Sequence, residues 1–76
     1  MFDRIEYRPD RLGGKPCVRG TRISVEFILD LIASGGTREA IVAAYPQLTI
    51  EDFEQAVRYA AESLRNDFVL TAEVAP

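Results

Sequence analysis

Apolar positions divide this chain at Ser24. Beyond it, from Val25 to Leu64, they recur at the three- and four-residue spacing of helices; before it they alternate over one short run and then gather around glycines and prolines. Ile5-Glu6-Tyr7-Arg8 alternates apolar and polar up to Pro9, which predicts a brief strand. Pro16-Cys17-Val18 and Thr21-Arg22-Ile23, separated by the Arg19-Gly20 turn signal, can pair with it as a two- or three-stranded ribbon. A ribbon this small needs helices or a second copy to pack on.

Ser24 suits the N-cap of a helix over 25–34, with Glu26 in the first turn, where the helix dipole favours a negative charge. Val25, Ile28, Leu29 and Ile32 form an apolar stripe that Phe27 and Leu31 widen over most of the circumference. Such a helix is expected to touch both its own core and another subunit. Gly35-Gly36 ends it in the manner of a left-handed cap. Thr37 caps a shorter helix over 38–45, which Pro46 stops by pushing the preceding residue out of helical angles. Thr49 with Asp52 three positions on approximates a capping box for a third helix. That helix sets Ile50, Phe53, Val57, Ala60, Ala61 and Leu64 on one face and extends to Asn66 or Phe68. The expected organisation is a β-ribbon and basic arm over 1–23, a three-helix core over 24–66 and a tail over 67–76. In fold class this is an all-α, helix-turn-helix-like (homeodomain-like) three-helix bundle with a short N-terminal β-ribbon.

The segment from Gly13 to Val25 concentrates the chemistry: three glycines, Pro16, Cys17, Lys15, Arg19 and Arg22. Glycine and proline give such a connector a definite shape, so it reads either as an anion-contacting arm or as a structural hairpin. The net charge of -3 conceals an asymmetry: six cations face three carboxylates up to Arg22, and three cations face nine carboxylates after it. One end can hold an anion and the other a basic partner, or the two halves can satisfy each other in a dimer. For nucleic acid, Lys15, Arg19 and Arg22 are the candidate phosphate contacts, with Gln55 and Arg58 as candidate base contacts from the third helix. Arg22 reads more readily as a structural residue that bonds a carboxylate or loose carbonyls. The third helix alone is a poor reader of DNA. Glu51, Asp52 and Glu54 in its first turn would each cost about 1 kcal/mol beside a phosphate even in water-like dielectric.

Composition narrows the rest. A chain of 76 residues forms one domain and buries only about 60% of its unfolded surface, so an added source of stability is expected. One cysteine and no histidine leave little for disulfides or metal, which points to a homodimer or a tight protein partner. The lone Cys17, read as a small half-buried residue in a turn, fits a cytoplasmic location. No apolar run nears the roughly 20 residues that cross a bilayer, and no signal peptide opens the chain, so no membrane partner is expected. No Ser-His or Cys-His combination and no metal-ligand cluster occurs, and Gly13-Gly14-Lys15 lacks the P-loop spacing. Neither an enzyme nor a cofactor is expected. After Leu64, the apolar Phe68, Val69, Leu70 and Val74 read as a segment that docks on a partner, or as cover for this protein's own core.

Gly14-x-Pro16 with Gly20-Thr21-Arg22-Ile23-x-Val25, then Ala44-Tyr45-Pro46-Gln47-Leu48-Thr49 and Tyr59-Ala60-Ala61, resembles the bacterial and archaeal family called domain of unknown function 433. The resemblance covers about residues 5 to 65. It implies a three-helix, helix-turn-helix-like fold and the role of an antitoxin in a VapBC-like pair, whose partner is a PIN-like ribonuclease. In that role the tail would obstruct the nuclease, and operator DNA would be a second partner. Two other readings stay open: a stand-alone dimeric DNA-binding regulator, and an interaction module that binds no DNA.

Overall fold

A computed structural model describes the backbone of residues 2–10 and 12–74, and side chains as far as Arg65. Three helices pack with one two-stranded antiparallel sheet. β1 (Ile5–Tyr7) pairs with β2 (Pro16–Val18) in the register Ile5↔Val18, Glu6↔Cys17 and Tyr7↔Pro16. Arg8 falls outside the strand because Tyr7 already faces Pro16, which has no N–H to continue the ladder. The expected third strand shrinks to a fringe: Ile23 accepts from the Val18 amide at 2.9 Å and Ser24 bridges Cys17. Thr21 is the reason. Its hydroxyl donates to the Val18 carbonyl at 2.8 Å and accepts from the Ile23 amide at 3.0 Å, a local turn that replaces ladder bonds. The glycines of the arm sit where only glycine is comfortable, with φ of 64° at Gly13, 81° at Gly14 and 77° at Gly20.

Each helix starts on the cap its sequence offers. Ser24 Oγ accepts from the Phe27 amide to open α1 (Val25–Ala33), and Thr37 Oγ1 accepts from Ala40 to open α2 (Arg38–Ala44). Thr49 and Asp52 close a reciprocal capping box at 2.9 and 3.0 Å before α3 (Ile50–Val74), which runs past the end the sequence suggests. α1 ends in a Schellman motif: the Gly36 amide reaches the Leu31 carbonyl and the Gly35 amide that of Ile32, each at 2.9 Å. Gly35 takes φ 98°, and a Cβ at Gly36 would come 2.9 Å from the Leu31 oxygen, so both glycines are required.

The core draws on every element: Val18 from β2, Ile23 and Leu48 from connections, Val25 and Ile28 from α1, Ile41 from α2 and Ala56 from α3, with Ile5 of β1 packed against them. Cys17 is wholly buried in β2, where the sequence suggested a half-buried turn. α3 contacts α1, α2 and both strands, so it is the element on which the others converge. Among the described residues no helix is long and apolar enough to cross a membrane.

Candidate interaction surfaces

The start of α3 is finished chemically. Asp52, only 2% exposed, takes Arg4 Nε on Oδ1 at 2.5 Å and the Thr49 amide on Oδ2 at 2.9 Å. Burial alone would raise its pKa, but the bonds from Arg4 and Thr49 outweigh that and hold the carboxyl below its ordinary value. Gln55 Oε1 accepts from the Arg4 amide at 3.0 Å, and its Nε2 donates to Asp3 at 2.9 Å, which lowers the Asp3 pKa. The segment before β1 is thereby clamped onto α3 across about fifty residues of sequence.

The candidate nucleic-acid residues occupy three settings. Arg19 Nε donates to the Asp3 carbonyl at 2.7 Å, so Arg19 and Gln55 meet around Asp3. Lys15 Nζ lies 2.7 Å from Glu26 Oε1 on α1, and this bond raises the lysine pKa and lowers that of the glutamate. Arg58 lines a groove between α2 and α3 with Arg38, Phe53, Glu54, Val57 and Ala61, where Arg38 is bonded to Glu39 and Glu54. Arg22 and Arg58 are exposed and enter no ion pair among the described residues. The side chains of Phe68, Val69, Leu70 and Val74 lie outside the described residues.

A second groove escaped the sequence reading. Tyr7 and Pro16 of the sheet, Val25 and Leu29 of α1, and Ala60 and Leu64 of α3 line it, with Tyr7 61% and Leu64 55% exposed. The six residues assigned to one face of α3 are in fact split: Phe53, Val57 and Ala61 line the α2 side, Ala60 and Leu64 line this one, and Ile50 is exposed, while Asp52 and Ala56, which were not among the six, are the buried residues of the helix. Tyr59 also lines it: Phe2 meets the Tyr59 ring edge-on at 5.5 Å from outside the groove, and the Tyr7 and Tyr59 hydroxyls touch. Burial, then the Tyr7 hydroxyl, raises the Tyr59 pKa. The helical pairing of Ala60 with Leu64 and the outward alternation of Tyr7 were the available signals, but nothing in the chain order brings β1 beside α3.

A family profile described as "Protein of unknown function (DUF433)" matches residues 5–60. The chain belongs to this family. A DUF433 member from Anabaena variabilis, solved as a crystal structure, superposes with a TM-score of 0.75 at 29% identity, over 90% of this chain and 66% of that one. An uncharacterised protein of Sinorhizobium fredii, y4eO, is 42% identical over 52 residues, which are 68% of this chain. The matched stretch makes up only 24% of that relative's length. The DUF433 match ends at Ala60, the last residue of α3, among the described side chains, that packs against the core. Ala61 to Arg65 of this DUF433 chain are all exposed.

Proposed function

We propose that this DUF433 protein is the antitoxin of a type II toxin–antitoxin pair in the cytoplasm, neutralising a PIN-like ribonuclease by direct contact and acting as a homodimer. The observation that carries the reading is α3, which remains helical beyond Ala60 while Ala61 to Arg65 are all exposed. A helix clamped at its start and exposed from Ala61 to Arg65 is suited to partner binding. The short share of the Sinorhizobium fredii protein that the chain matches also fits a binding module carried within longer chains. In this reading the apolar residues Phe68, Val69, Leu70 and Val74 obstruct the nuclease.

The helix-turn-helix-like, homeodomain-like layout of α2, the connection over 45–49 and α3 would serve autorepression on operator DNA. One observation favours that addition: Asp52 is neutralised by Arg4 and Glu54 by Arg38, so Glu51 is the carboxylate of α3's first turn with no ion pair among the described residues. Phosphate contact then falls to Arg22 and Arg58, with Arg19 beside Asp3. Charge reversal at Arg22 and Arg58 is expected to weaken DNA binding and to flatten its salt dependence by about one unit of slope for each arginine replaced.

Co-expression of the tagged chain with the product of the adjacent open reading frame tests the main reading. A stoichiometric complex containing a ribonuclease is the expected result, and removal of residues 67–76 is expected to abolish protection while leaving the fold intact. Recovery of the chain without a nuclease, or full protection by the truncated chain, would overturn the antitoxin role or the tail's part in it.

A further inference from the structure

We infer that the segment over residues 2–7 is a strap that two copies of this chain exchange, so that β1 of each copy docks on β2 and α3 of the other, with the turn at Leu12–Gly14 as the hinge. This gives the homodimer of the reading above its means of association and needs no ribonuclease.

The strap is held from one face of α3. Asp52, Gln55 and Tyr59 recur at three- and four-residue spacing, so they stand above one another on the helix. Asp52 takes the Arg4 guanidinium, Gln55 takes the Arg4 amide and the Asp3 carboxylate, and Tyr59 meets the rings of Phe2 and Tyr7. From the other side, the Arg19 amide donates to the Arg4 carbonyl at 2.8 Å and the Gly20 amide to Glu6 Oε2 at 3.1 Å, beside the ladder with β2. Each of these contacts joins a residue before the hinge to one after it. A strap from a second copy makes the same set, so exchange asks for no new complementary surface and strands none of these polar groups.

What differs between a closed copy and an exchanged pair is the hinge. Pro9 and Pro16 favour extended backbone in the residues before them, Arg8 and Lys15. To bring β2 back beside β1, the chain between them takes three left-handed residues in succession, with φ of 55° at Leu12, 64° at Gly13 and 81° at Gly14. Glycine adopts such angles freely, but Leu12 carries a Cβ and is strained there. Little packing opposes its release. No residue of the turn is buried, a Cβ on Gly13 would meet nothing within 4 Å, and the Lys15 amide reaches the Leu12 carbonyl at 3.2 Å. Opening the turn therefore sacrifices few contacts among the described residues and relieves Leu12 once in each copy.

Sedimentation equilibrium of the full chain and its hinge variants tests this. The wild type is expected to form a dimer of twice its 8.5 kDa mass. Leu12→Gly removes the strain and is expected to weaken that dimer at least about tenfold, and Gly13→Val adds strain and is expected to strengthen it by a similar factor. A dimer that joined two closed copies face to face would ignore both changes. The clamp reports the exchange itself. Arg4→Asp and Asp52→Arg each set like charges against each other within one copy, and only exchange between the two variants pairs unlike charges at both sites. Their equimolar mixture is expected to give a heterodimer more resistant to denaturant than either variant. Should a clamp variant unfold alone, recovery of helical circular dichroism on mixing is the same result. A wild type that stays monomeric at about 1 mM overturns the inference. So does a dimer unmoved by the hinge variants, or a mixture no more stable than its components. A nuclease complex holding one closed copy would leave the antitoxin role standing and remove this one. An exchanged dimer with no nuclease partner would do the reverse.

Discussion

The two halves of α3 differ in what they leave undone. At its start, Thr49, Asp52, Gln55, Asp3 and Arg4 answer one another's donors and acceptors, and buried polar atoms without a hydrogen-bond partner are absent among the described residues. Farther along, Leu64 is half exposed beside Tyr7, and no described residue covers either. Polar groups bond at fixed distances and angles, so a single chain can complete them with a few side chains. Apolar area needs bulk to cover it, and 76 residues supply too little. The start of α3 is therefore tied into the fold, whereas Leu64 leaves apolar surface in water.

Mutations at the two halves should separate accordingly. The largest effect is expected at the clamp: Asp52→Ala removes the cap and leaves the Thr49 amide unsatisfied, costing about 2 kcal/mol and lowering Tm by about 10 °C. A loss below about 0.5 kcal/mol would mean that the clamp does not hold the fold. Acid should act on the same bond reversibly. Because the folded-state pKa of Asp52 lies below its unfolded value, the stabilisation is complete above that value, 3.8, and disappears as pH falls through the folded one. Asp52→Asn should flatten the acid limb of a stability–pH profile. Thr49→Ala is expected to cost about 1 kcal/mol by denaturant titration. At the other half, Leu64→Ser should change the stability of the monomer by less than about 0.5 kcal/mol, since its side chain is already in water. A larger loss at concentrations too dilute for association would show that Leu64 belongs to the monomer's core. Smallest of all, Tyr7→Phe should leave stability nearly unchanged while moving the Tyr59 phenol back towards its ordinary value in an absorbance titration, because the hydroxyl that helps to raise it is removed.

Local signals in the chain were enough to locate the helix starts. Ser24, Thr37 and Thr49 cap helices at the expected residues, and Gly35-Gly36 and Pro46 end them, because caps and stops depend on side chains within four positions of the backbone they serve. The strand pair was visible through alternation and Pro16. Lys15 and Arg22 were marked as cations of a shaped arm, but which of them keeps a bare charge was not, since Glu26 reaches Lys15 from the next element.

Relations between distant residues lay beyond the sequence pattern. Gln55, which looks like a free polar residue on a helix surface, spends its amide on Asp3 and Arg4, and Asp52, which looks like a cap alone, is buried and also holds the half-exposed Arg4 in an ion pair. Leu64 has the spacing of a core residue and lies outside the core, because helical periodicity defines a stripe but not how far along it a neighbour extends. Caps, stops and apolar stripes follow from short-range sterics and hydrogen bonding, so the order and starts of the helices, and the ends of the first two, were already contained in the amino-acid sequence. The clamp, the split face of α3 and the groove beside Leu64 arise from packing β1 and α1 against α3, contacts between residues up to about fifty positions apart that only the folded chain brings together.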